Sequence, residues 1–536
     1  MRERATSYAC LLGLSLCALV LGLGGACQKE KTGEPAAPQE KPTLRIYALS
    51  NLAGALEPCG CQKDMLGGVD HLAALVRAGK QEVPSAVVGA GPMFFMDPRL
   101  DETRRTQDVW KAKALSESLK DVGLTAWAPG YNDWAAGGAE LASLAATSDS
   151  ALLAANLTGV VSQPVKILEL AGTKLGIAGV AEPRYQASLP VGVKDEALGA
   201  ALVKARDELT GKGAKLLVAL VTAPRGDALR LAEVAEGFHV MVVGKPFDQG
   251  EANDKPTPPT LVGKTLVLQA QNHAQSVAVV DIYLRGGSFD LQDGSGVEAE
   301  SERESLAGRI ADLERRIPVW EADKSLPPAE LKKKQRDLGE LKARHQRLSR
   351  AEPPKSGSFF RYRLVPVTEG AGEDAQVAAR MLGYYKQVNE HNREAFKDRK
   401  PPPVPAGESG YVGVEACKGC HEPAHRFWLK TPHSRAYATL VKQHKEFNLD
   451  CVSCHVTGYE KPGGSTVTHV KGLIDVQCEN CHGPGEAHVK QPTTRGLITR
   501  TPQTSTCIGC HHPPHVGEDW DANQAWQHII GEGHGR

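Results

Sequence analysis

The stretch Leu44-Arg45-Ile46-Tyr47-Ala48-Leu49, followed by Val69–Ala78 and then Ala86–Val88, decides the fold of the first half of the chain. The outer two segments are short apolar runs of strand length, and the middle one carries its apolar residues at helical spacing. The alternation continues with strands expected at Ala151–Ala154, Lys174–Val180, Leu216–Val221, Val240–Val243, Leu266–Gln269 and Val277–Leu284. Helices are expected at Thr106–Val122, Gly138–Ala146, Glu196–Thr210 and Gly226–Ala235. Strands that alternate with helices in this way make an α/β layered fold.

Working outward from this region, residues 43–297 form the α/β domain. Residues 298–352 are charged and helical. Leu306, Ile310, Leu313 and Ile317 make one apolar stripe, and Leu331, Leu338, Leu341 and Leu348 make another. Ser325-Leu326-Pro327-Pro328 separates the stripes, which predicts an antiparallel helical hairpin inserted in the α/β fold. A return strand (Phe359–Val367) and a helix (Ala375–Phe396) occupy 353–398, and a stiff Pro-rich linker occupies 399–409. Residues 410–536 form a last, small and mostly α domain. A chain of 536 residues fits this division into several domains. Its 63 Lys+Arg balance 63 Asp+Glu, which removes the electrostatic case for nucleic acid.

The N-terminus reads as an address. Arg2 and Arg4 precede an apolar run from Cys10 to Leu23, too short to span a bilayer and of the length of a secretory signal. The run ends Leu23-Gly24-Gly25-Ala26-Cys27, which resembles a bacterial lipoprotein signal with Cys27 as the lipidated residue, although the Leu stands four rather than three positions before it. Ordinary cleavage near Ala26 is the alternative. Residues 1–27 are thus a signal peptide and 28–42 a tether, and the mature protein is expected in the periplasm or on the outer membrane.

Eight of the 13 Cys and 13 of the 18 His lie between Gly410 and Arg536. Cys-x-x-Cys-His occurs four times there: Cys417/Cys420/His421, Cys451/Cys454/His455, Cys478/Cys481/His482 and Cys507/Cys510/His511. This is the attachment signature of c-type haem, in which two thiols add to the porphyrin vinyl groups and the adjacent His binds iron. One copy could be half of a zinc site. Four copies on an exported chain point to four covalently bound haems.

The run from Tyr411 to His433, Asp450 to Tyr459 and Gln477 to Gly485 resembles the tetrahaem cytochrome family that accepts electrons from hydroxylamine oxidoreductase. The resemblance implies mostly bis-His haems and redox protein partners. It assigns distal iron-ligand roles to His433, His469, His488 and His528, without saying which serves which haem. His425, His444, His512, His515 and His534 read as surface or propionate-contacting residues.

The α/β domain resembles the calcineurin-like metallophosphoesterases, in their 5′-nucleotidase branch, over Thr43 to Leu284. Gly54-Ala55-Leu56-Glu57-Pro58, Gly67-Gly68-Val69, Gly130-Tyr131-Asn132-Asp133, Ala155-Asn156-Leu157 and Gly244-Lys245 fall at the family's landmarks. Those enzymes hold two metal ions with Asp, His and Asn. Here the corresponding positions read Asn51-Leu52-Ala53, Gly91-Pro92, Gly130-Tyr131-Asn132-Asp133, Thr222 and Gly244-Lys245-Pro246-Phe247, which lack the usual ligands. The resemblance therefore implies the fold without the hydrolysis.

Pro58-Cys59-Gly60-Cys61 holds the only Cys outside the leader and the haem motifs. Cys59 and Cys61 could form a strained, redox-active disulfide, hold a soft metal, or be structural. Exported proteins of the same resemblance carry Cys-Gly-Cys, in some with selenocysteine, which implies redox duty. Asp70 and His71, close by, read as helix surface. The function expected is electron transfer rather than hydrolysis. The alternatives are a multihaem oxidoreductase acting on a small nitrogen compound at a five-coordinate haem, and a ligand-binding module.

Overall fold

The computed structural model describes residues 40–58, 65–184, 188–246, 252–323, 327–348, 354–512, 515–516 and 520–534. The leader with Cys27, most of the tether, and Cys59 and Cys61 lie outside the described residues. All the elements of secondary structure belong to the compact unit Pro42–Arg536.

Two sheets lie face to face with helices on both outer surfaces, giving four layers. The first sheet is built from β1 (Leu44–Ser50), β2 (Ser85–Ala90), β3 (Leu124–Ala128) and β4 (Ala151–Leu152). A small ladder of β5 (Leu157–Thr158) and β8 (Lys194–Asp195) flanks the second sheet, which contains β6 (Val165–Leu170), β7 (Thr173–Ala181), β9 (Leu216–Thr222), β10 (Val240–Gly244), β11 (Thr260–Val262) and β12 (Thr265–Leu268). The chain then returns to the first sheet through β13 (Ser276–Tyr283), β14 (Gln292–Asp293) and β15 (Phe359–Pro366). The first sheet has the order β14-β15-β13-β1-β2-β3-β4 and the second β11-β12-β10-β9-β7-β6.

Period-2 alternation explains the layering. Leu44, Ile46 and Ala48 of β1 face the second sheet and share a core with Ile177, Val218 and Val242. Tyr47 and Leu49, on the opposite face, pack under the helices of the first sheet. These helices are α1 (Val69–Glu82), α2 (Arg105–Val122) and α3 (Gly138–Thr147), while α4 (Leu198–Gly211) and α5 (Arg225–Val234) cover the second sheet around Phe238 and Met241. Both faces of the central strands are buried, so they read as continuous apolar runs.

The inserted segment forms α6 (Glu300–Asp323) and α7 (Pro328–Leu348), which pack on each other, with Leu306 and Ile317 buried. The helix α8 (Ala375–Ala395) then lies across α1 and α2. The expected strands and helices of the α/β region are found within a few residues. β3 and β6 were not expected: β3 is an Ala-rich run around Trp127, and β6 is an edge strand with Lys166 and Glu169 among its apolar residues.

Beyond the linker the chain is held in short helices: α9 (Val414–Lys418), α10 (Glu422–Trp428), α11 (Ala436–Lys442), α12 (Val452–His455), α13 (Cys478–His482), α14 (Glu486–Lys490) and α15 (Ala522–Ile529). Such short helices are not stable alone. They are pinned by side chains that take up loose backbone groups. The Glu479 carboxylate, in the third motif, accepts from the N–H groups of Val412 (3.0 Å), Gly413 (2.7 Å) and Gly485 (2.7 Å). Gln477 Oε1 accepts from Val414 N at 2.7 Å, and Trp428 Nε1 donates to Val476 O at 2.9 Å. Gly413 has φ 79°, and a Cβ there would lie 2.5 Å from Gly472 O, so only glycine fits just ahead of the first motif.

Candidate functional site

The four motifs fold so that two of their histidines face a histidine from outside the motifs and most of their thiols approach a thiol of another motif. His421 of the first motif faces His488, with ring centres 6.1 Å apart, and His511 of the fourth faces His433 at 6.3 Å. Two imidazoles on opposite sides of one metal ion, each bonded at about 2 Å, have ring centres about 6 Å apart. Both separations fit an iron between the rings. Burial lowers the pKa of His433, and neighbouring His511 adds to this, so the ring is held in the neutral, metal-binding form.

The other two motif histidines are each held through one ring nitrogen. His455 Nδ1 lies 2.6 Å from Ala436 O and His482 Nδ1 lies 2.7 Å from Thr499 O. A proton on Nδ1 donated to a carbonyl leaves the Nε2 lone pair for iron, the usual second contact of a metal-binding His. His469 is fixed similarly, with Nδ1 3.1 Å from Thr468 Oγ1, whose own proton goes to Phe396 O. His528 is exposed on α15. His534, read from the sequence as a surface residue, is the terminal histidine that comes within electrostatic range of His482. Trp520 stacks flat on His511 with centres 4.8 Å apart.

The thiols also link motifs that are distant in sequence. Cys417 lies close to Cys478, and Cys454 close to Cys510. Cys481 lies near Cys507, completing a spatial order of first, third, fourth, second. Cys420, in the turn between α9 and α10, is exposed, and the other seven motif thiols are partly buried. Among the described residues no three His, Cys, Asp or Glu side chains form a metal-holding cluster of the zinc type.

The second motif stands apart because it is built into an interface with the α/β domain. Asp450, just before Cys451, is ion-paired with Arg104 and, at 3.2 Å, with Lys111 of α2. Burial alone would raise the Asp450 pKa, but Lys111 and Arg104 outweigh it and hold the group at about 2. Gln107 Oε1 accepts from Leu449 N and from Asn392 Nδ2, both at 3.0 Å, and Asn392 also donates to Phe447 O. Lys445 is ion-paired with Glu57 and sits 4.2 Å from the centre of the Tyr385 ring. Burial pushes the Cys451 thiol up to about 12. None of these interface roles was visible in the sequence, since the partners come from segments far apart along the chain.

At the carboxyl ends of β1, β2, β3, β9 and β10, the positions of the phosphoesterase landmarks do come together. Asn51 Oδ1 accepts from Lys245 N at 3.1 Å, and Lys245 Nζ is paired with Asp254 at 2.7 Å. Asp133 is fully buried and accepts from Met93, Phe94 and Gly130 N–H at 2.8–2.9 Å. Its burial pushes it up to about 6, against the pull of those three amides. A Cβ on Gly244 would lie 2.2 Å from Gly91 O, so backbone meets backbone between these strand ends. Sequence reading missed His273, buried beside this place, with Nδ1 2.9 Å from Asn253 Oδ1 and its backbone N–H donated to Asn51 O. Burial, then Lys111 and Lys245, lower its pKa to about 4, so it is neutral at pH 7. The polar run Gln271-Asn272-His273 directly after an apolar strand was the available signal. Asp70 is buried rather than on the helix surface, and His71 Nδ1 lies 2.6 Å from Gly372 O.

Comparison with known proteins matches this picture in its C-terminal part. Residues 416–483 match the family model described as cytochrome c554 and c-prime, which implies covalently bound c-type haem. Cytochrome c-554 of Nitrosomonas europaea is 32% identical over 96 residues, covering 15% of this chain and 41% of that protein. The chain therefore spans about two fifths of that relative's length. Among solved structures, the 5′-nucleotidase precursor of Thermus thermophilus is similar with a TM-score of 0.44 at 16% identity, covering 84% of this chain and 73% of that one. The sulfate thiohydrolase SoxB of Thermus thermophilus gives 0.45 at 14%, covering 66% and 62%.

Proposed function

We propose that this chain is an exported electron-transfer protein carrying four c-type haems, attached at Cys417/Cys420, Cys451/Cys454, Cys478/Cys481 and Cys507/Cys510. The observation that carries the reading is the pair of facing imidazoles, His421 with His488 and His433 with His511. Iron with two axial imidazoles is closed to small molecules and suited to passing electrons. The proximal ligands are His421, His455, His482 and His511. His488 serves the first haem and His433 the fourth, with His469 and His528 or His534 as further distal candidates. The spatial order of the motifs supports a relay that runs first, third, fourth, second. Redox proteins are its partners, and a lipid on Cys27 holds it at the membrane.

The reading is tested by counting haems with a pyridine haemochrome assay, where four per chain is the expected result and fewer sinks it. Carbon monoxide binding by the reduced wild-type protein would favour the oxidoreductase alternative, because it requires an open iron position.

The α/β domain, in this reading, does not hydrolyse phosphate esters. A two-metal site needs carboxylates and imidazoles aimed at a common space. Here Asp133 is committed to three backbone amides and Lys245 stands paired near Asn51. Nucleotides and nitrophenyl phosphate should remain intact in the presence of manganese or zinc. Metal-dependent turnover abolished by changing Asn132 or Asp133 would reverse that reading.

Cys59 and Cys61 complete the proposal as a redox pair: two thiols close a disulfide, releasing two protons and passing two electrons to two ferric haems. Their neighbour Glu57 is the residue ion-paired with Lys445, six positions before Cys451. Mass-tagged alkylation against a thiol redox buffer should show a two-electron transition that disappears in Cys59→Ser/Cys61→Ser while the haem content stays. A pair that remains in one state at every potential would reduce the motif to structure.

A further inference from the structure

The second haem-attachment motif packs against the α/β domain through a cluster of paired charges. Asp450 is covalently next to Cys451 and bridges Arg104 and Lys111, while Arg104 also reaches Asp108 at 3.5 Å. On the other side, Lys445 is pressed between Glu57 and the Tyr385 ring. Tyr384 and Tyr385 are buried and lie within electrostatic range of Cys451 and Asp450. The Tyr384 hydroxyl has no hydrogen-bond partner among the described residues, an orphaned polar atom on the wall of this site. Lys111 also acts on buried His273, which places the cluster between the strand ends of the α/β domain and the motif. In open α/β sheets the carboxyl ends of the strands are where ligands are received.

We propose that the α/β domain sets the reduction potential of the haem held by Cys451 and Cys454, with Lys111 and Asp450 as the potential-setting residues. The proposal rests on the haem reading of that motif. Oxidising ferrous haem adds one positive charge at the iron. A cation fixed nearby in a poorly hydrated wall opposes this and raises the potential, whereas an anion favours it and lowers the potential. Arg104, Lys111, Asp108 and Asp450 nearly cancel when all are charged, so removal of one member unmasks the others. Tyr384 and Tyr385 are buried behind the cluster, and the Lys111 and Asp450 side chains are mostly covered, so these charges are screened less than fully exposed ones.

A redox titration of the full chain with all its haems, followed by absorbance and electron paramagnetic resonance, tests this. Lys111→Met is expected to lower one midpoint, and not the others, by the equivalent of about tenfold in the reduced-to-oxidised ratio, about 59 mV for one electron. Asp450→Asn is expected to raise the same midpoint, and Lys111→Arg to leave it in place. Opposite signs are the decisive feature. A merely structural role would loosen the junction in both variants, admit water and lower the midpoint in both. A shift of the same sign in both variants, or no shift in Lys111→Met, overturns the proposal. Should Asp450→Asn fail to fold, Asp108→Asn, which removes the other anion of the cluster, takes its place and is expected to raise the same midpoint. A haem count below four in the wild-type chain would instead strike at the tetrahaem reading, which keeps the two failures distinct.

Discussion

Replacing Glu479 with alanine is expected to destabilise the C-terminal module by about 3 kcal/mol or more, a large part of the total stability of a typical domain. Glu479 is only 2% exposed, and its carboxylate is the acceptor for three backbone N–H groups, those of Val412, Gly413 and Gly485. A buried donor left without a partner costs about 1–3 kcal/mol. The side chain belongs to the third motif, whereas Val412 and Gly413 lead into the first. The substitution therefore separates two motifs as well as exposing three orphan donors. Gly485 opens the short helix that carries His488, so the face-to-face arrangement of His421 and His488 should loosen too. Glu479→Gln, which keeps one acceptor oxygen but turns an N–H₂ toward N–H donors, should fall between wild type and alanine. Unfolding followed through the haem absorbance checks the order. An alanine variant with unchanged midpoint and unchanged haem content would show that the carboxylate is not the pin described here.

The α/β layers were legible because the hydrophobic pattern of each strand is local. Leu44, Ile46 and Ala48 face one core and Tyr47 and Leu49 the other, and a six-residue window holds that information. β6 escaped because an edge strand needs only one dry face, and Lys166 and Glu169 blur its alternation. The Cys-x-x-Cys-His motifs were legible because covalent attachment demands a fixed spacing. The pairing of the distal histidines was not legible, since it is a tertiary property: His433, just after the first motif, faces the fourth, and His488, just after the third, faces the first. His534 and His528 are close in sequence, and nothing local distinguishes the one brought near His482 from the one left exposed. Asp450 illustrates the same limit. In sequence it is one acidic residue before a motif, and its meaning comes from Arg104 and Lys111 of another domain.

Removing a distal imidazole should produce a spectroscopic change confined to one haem. In His488→Ala the haem at Cys417/Cys420 is expected to lose its sixth ligand and turn high-spin, leaving the others as they were. The reduced variant should then bind about one additional carbon monoxide per chain, because an open iron position admits small molecules while a bis-imidazole iron does not. His433→Ala should do the same at Cys507/Cys510, and the double variant should show both changes, since the two pairs share no residue. The ring separations of 6.1 and 6.3 Å carry this expectation, being what two metal–nitrogen bonds of about 2 Å require. Neither His488 nor His433 is fully buried, so truncation should leave the fold standing and the spectra readable. His528→Ala provides the contrast: exposed on α15, its loss should leave the first and fourth haems low-spin. Magnetic circular dichroism of the ferric protein would separate the spin states. A His488→Ala protein that stays wholly low-spin and gains no carbon monoxide would mean that another side chain closes the first haem, and the pairing of His421 with His488 would have to be given up.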